Sequence, residues 1–253
     1  MELRLLLLIL FVSQIGYAQN RELENHEIAN INNVISLFKQ NNVDKISSII
    51  KFPLRREYPI PNIKDKKEFK QRFHEVFDKT LIDKIANSKI EQWSEVGWRG
   101  IMLDDGIVWI QNLDGKITAV NYQSDFEKRL IKELIAEEKA SLHTSLKNFK
   151  QPTYRLKTKS FLIRIDEISN GKYRFASWKR DGKESSKPDI ILNNGKLVFE
   201  GSGGNHVIIF PNGNYTYKVY RNLIGEYKSP DITLIVEKDG QSILEQGGTL
   251  ITK

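Results

Sequence analysis

The chain has 253 residues, 40% hydrophobic and 10% aromatic, and its 39 Lys and Arg against 32 Asp and Glu give a formal net charge of +7. That length and apolar content suit one large domain or two small ones and exclude a globally disordered chain. The lack of cysteine excludes disulfides, thiolate catalysis, cysteine zinc ligation and the lipid-bearing cysteine of a bacterial lipoprotein.

Residues 1–18 read as a secretory signal peptide, with Arg4 as the positive region, Leu5–Val12 as the apolar run and Gly16-Tyr17-Ala18 as the cleavage site. A membrane anchor would need about 20 apolar residues, and this run breaks at Ser13-Gln14. The expected destination is the periplasm or the medium of a bacterium, with no membrane span after signal cleavage.

Glu24–Gln40 places Ile28, Ile31, Val34, Ile35 and Phe38 at three-and-four spacing, which predicts an amphipathic helix ended by Asn41-Asn42. Asp44 is a candidate cap for a shorter helix carrying Ile46, Ile49 and Ile50. Pro53, Pro59 and Pro61 predict an extended edge strand over Phe52–Ile60. Asp65 is a candidate cap for a helix striped by Phe69, Phe73, Val76 and Phe77, and Thr80 opens another through Leu81, Ile82 and Ile85.

Trp93–Asn121 is the densest strand signal of the front half. Asp105-Gly106 and Asp114-Gly115 suit type I′ turns, with φ > 0 at both central positions, and divide three strands at Gly97–Leu103, Ile107–Gln111 and Lys116–Asn121. A helix follows from Ser124 to about His143, with Phe126, Leu130, Ile131, Leu134 and Ile135 inward and its Glu and Lys residues outward. Leu146–Pro152 reads as a linker.

Turn dipeptides then recur at Asn170-Gly171, Asp181-Gly182, Asn194-Gly195, Asn212-Gly213 and Asp239-Gly240. Between them lie the alternating runs Tyr154–Ile168, Lys172–Lys179, Asp189–Phe199, His206–Phe210, Asn214–Tyr220, Ile232–Glu237 and Ser242–Ile251, which predict an antiparallel sandwich or barrel. The aromatic ladder Tyr215, Tyr217 and Tyr220, with Tyr227 beyond, suits sheet packing. The positive excess concentrates in Tyr154–Lys187, which holds 10 Lys and Arg against 4 Asp and Glu. Such an excess suits either a solvated strand face or a patch for an acidic partner.

The order of front elements, with the phrases PLRREYPI and GWRGIMLDDGIVWI, resembles the NTF2-like (SnoaL-like) superfamily over roughly residues 24–121. That resemblance implies an α+β cone in which helices pack into a strongly curved sheet, with any site inside the cone. It carries no catalytic residue over, because the superfamily shares no motif. The expected architecture is therefore an NTF2-like curved-sheet cone over residues 19–150 and an all-β antiparallel sandwich or barrel over residues 151–253. The rear half distantly resembles small exported bacterial β modules, one class of which inhibits lysozymes through an inserted loop, here Glu200–His206.

The candidate ligand-binding residues form two groups. Trp98 and Trp109 are able to stack on a sugar or peptide, and Arg99 offers a bidentate fork to a carboxylate. Gly203, Asn205 and His206 mark a glycine-rich loop that admits close backbone approach. Each has a plainer reading as core, cross-strand charge or hairpin turn. Asp104 and Asp105 sit at a turn tip, where both would titrate normally. His26, His74, His143 and His206 lack metal-ligand spacing, so no metal or other cofactor is expected, and no nucleic-acid motif accompanies the charge. The leading expectation is a non-catalytic module for a small molecule, glycan or protein of the cell envelope. The alternatives are a small-molecule isomerase or hydrolase with its site in the cone, and an inhibitor of a secreted cell-wall hydrolase.

Overall fold

The structure, a computed structural model, describes residues 21–169, 171–201, 203–223 and 229–251. The signal-peptide pattern, Asn170, Ser202 and Tyr227 lie outside the described residues. Among the described residues the helices are α1 (Asn25–Gln40), α2 (Val43–Ser48), α3 (Lys66–Val76), α4 (Lys79–Ala86) and α5 (Asp125–Ser141). The strands of the front half are β1 (Trp93–Glu95), β2 (Ile101–Leu103), β3 (Val108–Ile110) and β4 (Ile117–Val120). Those of the rear half are β5 (Gln151–Thr158), β6 (Phe161–Ser169), β7 (Lys172–Lys179), β8 (Ile190–Phe199), β9 (His206–Asn212), β10 (Tyr215–Arg221), β11 (Ile232–Lys238) and β12 (Gln241–Leu250). The described residues form two units, one from residues 21–51 with Lys79–Asn121, the other from Phe52–Asp78 with the described residues from Tyr122 on.

In the first unit Ile31, Val34, Ile35 and Phe38 of the α1 stripe are buried and Ile28 is half-buried, and Asn41 adopts φ 48° to end the helix. The cap of α2 is Asn42, one position from the helix start, rather than Asp44; its side chain accepts from the Lys45 N–H at 3.1 Å. The sheet runs β1-β2-β3-β4, all antiparallel. Trp93, Ile101, Leu103, Val108, Ile110, Ile117 and Val120 are its buried residues. By the period of two, Met102, Trp109 and Ala119 lie side by side on the opposite face. The expected type I′ turns do not form: at the first connection Asp104 and Gly106 take positive φ while Asp105 does not, and at the second only Gly115 does.

In the second unit the proline-rich segment forms a single bridge, Leu54↔Ile63, instead of an edge strand. Asp65 caps α3 by accepting from the Glu68 N–H at 2.9 Å, and Phe69, Phe73 and Phe77 interlock at centroid separations of 5.3–5.9 Å. Ser124 caps α5, accepting from the Glu127 N–H at 3.1 Å while its hydroxyl donates to the Glu75 carbonyl. Ser124→Ala removes both bonds from a buried position and is expected to lower stability by about 1–2 kcal/mol. An unchanged unfolding midpoint would show that water replaces them.

The buried residues of α5 are two of its glutamates, not its expected apolar stripe: Glu127 and Glu138 are buried while Phe126 is exposed. Glu127 takes Arg56 in a fork (Nε–Oε1 2.6 Å), and Glu138 takes Arg164 (3.0 Å). The positive excess of Tyr154–Lys187 is partly spent in this way. Arg164 and Arg174 converge on Asp166, and Arg155 and Arg164 on Glu184. The segment read as a linker is packed: Leu146 and Phe149 join Leu142, Leu162, Ala176 and Trp178 in one apolar cluster.

The rear strands close into an eight-stranded up-and-down barrel, each strand pairing with the next and β12 with β5. An eight-stranded barrel has an interior just wide enough for side chains to fill. Here Leu156, Ile163, Ile165, Phe175, Ile208, Phe210, Val219 and Leu234 fill it. The architecture is thus not an NTF2-like cone followed by a sandwich. The front sheet has strands of only three or four residues, α3 lies in the barrel's unit, and the rear sheet closes on itself. The curved cone in which an isomerase or hydrolase site was expected is not formed among the described residues.

Candidate ligand-binding site

Trp98, Arg99 and Trp109 come together in the first unit. Between β1 and β2 the chain makes one 3-10 turn, Gly97–Arg99. Gly97 takes φ 57° and Gly100 φ 106°, and a Cβ on Gly100 would lie 2.3 Å from the Ile110 carbonyl oxygen. Only glycine permits that approach of the turn to β3. The turn is tied by the Val96 N–H to Gly100 O bond at 2.8 Å, and it presents Trp98 and Arg99 beside the outward face of β3. The Arg99 guanidinium lies 5.6 Å over the Trp109 ring.

These residues line a cavity of about 560 Å³. Lys51, Gln111, Asn112, Thr118 and Asn121 supply its polar groups, and Leu113 its apolar rim. Trp98 is 76% exposed and Leu113 81% exposed. The volume falls in the range of about 300–1,000 Å³ usual for small-molecule sites. The lining holds two cations, Lys51 and Arg99, and no carboxylate, histidine or tyrosine. Lys51 is set beside the sheet by its N–H bond to Ile117 O at 2.9 Å. Neither cation has an ion-pair partner among the described residues. The arrangement offers aromatic faces, a planar guanidinium fork and amides, which is the chemistry of stacking and anion capture.

The other two tryptophans are core. Trp93 donates to Ser88 Oγ at 3.1 Å and Trp178 to Ser186 O at 3.0 Å, and both are buried. The sequence therefore divides its tryptophans evenly between core and surface. Parity marks Trp109 as outward, because it alternates with the buried Val108 and Ile110.

The chain matches no family model, no curated protein and no solved structure. The chemistry of the site is therefore read from its own residues.

Gly203 and Asn205 lie in the second unit, in the connection from β8 to β9, and His206 is the first residue of β9. The loop is closed by the Glu200 N–H to Asn205 O bond at 2.7 Å, and Asn205 Oδ1 accepts from the Leu223 N–H at 2.8 Å. His206 is buried and both its ring nitrogens are engaged, Nδ1 with Gly204 O at 2.8 Å and Nε2 with Tyr154 Oη at 2.6 Å. A carbonyl only accepts, so Nδ1 carries the proton and, in the neutral ring, Nε2 accepts from the phenol. Burial pushes the Tyr154 phenol up to about 12 and Arg221 offsets part of that, so it stays a protonated donor. The Tyr154–His206 pair is a satisfied end-plug of the barrel wall.

The remaining candidates are spread apart. Asp104 does not titrate normally: its hydrogen bonds to Lys84 (3.0 Å) and Gln92 hold its carboxyl below the usual range. Among the described residues no three His, Asp or Glu side chains gather as a metal site, and no helix is long and apolar enough to cross a membrane. An apolar cavity between Phe161, Ile190, Tyr215, Tyr217, Leu234 and Leu244 measures only about 220 Å³.

Proposed function

We propose that this chain is an exported, non-catalytic binding protein, and that its ligand is an acidic sugar or a comparably flat carboxylate held at Trp98, Arg99 and Trp109. The observation that supports this is the exposed Trp98 beside a stacked Arg99–Trp109 pair, in a cavity with two cations and no acid. A tryptophan left in water forgoes burial worth about 25 cal/mol per Å² of apolar surface, which a ligand ring recovers on stacking. Arg99 supplies the fork a carboxylate needs, and Trp109 holds that fork in place before the ligand arrives. Export rests on the signal-peptide pattern of residues 1–18.

The test is calorimetric titration of the chain from residue 19 with uronic-acid oligosaccharides and their neutral counterparts. Trp98→Ala is expected to weaken binding of both about tenfold or more. Arg99→Ala is expected to abolish the preference for the acidic sugar while sparing most of the neutral affinity. Wild-type affinity in both variants, or no binding of acidic sugar by the wild type, would sink the proposal.

A further inference from the structure

The second unit carries a separate site that the reading above does not use. A cleft of about 420 Å³ lies between the Pro53–Asn62 segment and the end of the barrel where β5, β10 and β12 meet. Four arginines line it: Arg55, Arg56, Arg155 and Arg221. Two of them are neutralised within the fold. Arg56 forks onto Glu127, and Arg155 Nε meets Glu184 Oε1 at 2.7 Å. The other two have no carboxylate within ion-pair distance among the described residues.

Arg221 is the anomaly. It is 9% exposed, and its Nη1 donates to the carbonyls of Asn222 (3.0 Å) and Asp231 (2.7 Å). Its Nε and Nη2 donate to nothing among the described residues. A guanidinium stays protonated even when buried, and burying it without a counter-charge is strongly unfavourable. In the same lining, Thr153 stands at the bulge between Pro152 and Tyr154, and its Oγ1 is a buried hydroxyl with no hydrogen-bond partner. Buried hydroxyls are almost always paired, so an orphan facing a cleft marks a missing partner. Arg55, from the opposite wall, is exposed and unpaired among the described residues. Asn62 uses its Oδ1 on the Arg56 N–H at 2.9 Å, which leaves its Nδ2 as a donor. Asp231 is the single carboxylate residue of the lining, and it is exposed.

We propose that this cleft binds a phosphate group, free or as a monoester. Arg221 and Arg55 supply the counter-charge, and Thr153 Oγ1 and Asn62 Nδ2 supply neutral donors. A tetrahedral dianion accepts from several directions at once and takes planar guanidinium groups in forks, which fits this donor set. The proposal is independent of the tryptophan site and stands or falls without it.

Inorganic phosphate and glycerol 3-phosphate are titrated separately into the chain from residue 19, with chloride at matched ionic strength as the control. Binding is read by calorimetry and by the rise in unfolding temperature. Saturable binding of either phosphate, absent with chloride, is expected, and the tighter one distinguishes a free ion from an ester. Arg221→Gln and Arg55→Gln are each expected to weaken binding about tenfold or more, and Thr153→Val by a smaller factor. Arg55 is exposed, so its variant folds even where Arg221→Gln does not. No saturable phosphate binding by the wild type, or wild-type affinity in Arg55→Gln and Thr153→Val, would overturn the proposal.

Discussion

Replacing Arg164 with alanine is expected to destabilise the barrel unit by about 3–5 kcal/mol. Arg164 is 1% exposed and is the hub of the ion network on the outer wall of β6. Its Nη2 reaches Asp166 Oδ1 at 2.8 Å and Glu138 Oε2 at 3.0 Å, and its Nη1 reaches Glu184 Oε2 at 3.2 Å. The Phe149 ring lies 5.0 Å beneath the guanidinium. Burial depresses its proton affinity, yet Asp166, Glu138 and Glu184 outweigh burial and raise it. Alanine leaves Asp166 and Glu138 in place, buried, and stripped of that cation. The cost arises mainly from those abandoned carboxylates, not from the bonds lost.

That origin gives the variant a pH signature. Burial already raises the Asp166 carboxyl above its ordinary range, and Arg164 and Arg174 pull it back. Without Arg164 its folded-state pKa rises further above the unfolded value, so the folded state binds the proton more tightly. Stability linked to such a group is present below the unfolded pKa and is lost as pH rises through the folded pKa. The deficit of Arg164→Ala relative to wild type should therefore be largest at neutral pH and shrink on acidification. Denaturant unfolding of both proteins at neutral and mildly acidic pH measures this. An equal deficit at both would assign the loss to packing against Phe149 instead.

The same network shows where sequence reading reaches its limit. The Ile/Val/Phe stripe of α1 and the Phe69–Phe73–Phe77 stripe of α3 are legible because burial there follows a local period. The glutamates of α5 obey a local period too, yet Glu127 and Glu138 are buried because Arg56 and Arg164, far away in the chain, are there to receive them. Periodicity carries no information about a distant partner. In the rear half the run Tyr154–Ile168 reads as one strand and is two. It breaks at Lys159-Ser160 without glycine or proline, and the break is made by Thr158 Oγ1 accepting from the N–H groups of Ser160 and Phe161. That one turn raises seven apparent strands to eight, an even number that lets β12 return antiparallel to β5 and the sheet close. Conversely, Asn194-Gly195 carries a turn signature and lies inside β8. The tryptophan site is legible in part: Trp98, Arg99 and Trp109 stand out by residue type, whereas Lys51 arrives only through its pairing with Ile117.

Gly195 and Phe210 form the second pair for which a large effect is expected. Phe210 is fully buried in the barrel and packs against Phe175 at a centroid distance of 5.6 Å. A Cβ on Gly195 would lie 2.2 Å from Phe210 Cε1 and 2.6 Å from Cδ1. The ring thus occupies the space a side chain would need, which is why glycine stands in mid-strand. Phe210→Ala empties that space and should cost about 3–5 kcal/mol. Gly195→Ala overpacks it and should cost about 1–3 kcal/mol. Gly195 has no positive φ, so alanine fits its backbone and the cost is steric alone. In the Phe210→Ala background the clash is gone, and the new methyl fills part of the cavity and restricts the unfolded chain. Gly195→Ala should then be neutral or slightly stabilising, giving a coupling of about 1–3 kcal/mol by denaturant unfolding of the four proteins. Additive costs would mean that the Phe210 ring swings aside for the methyl, and that the barrel interior is less tightly filled than its residues indicate.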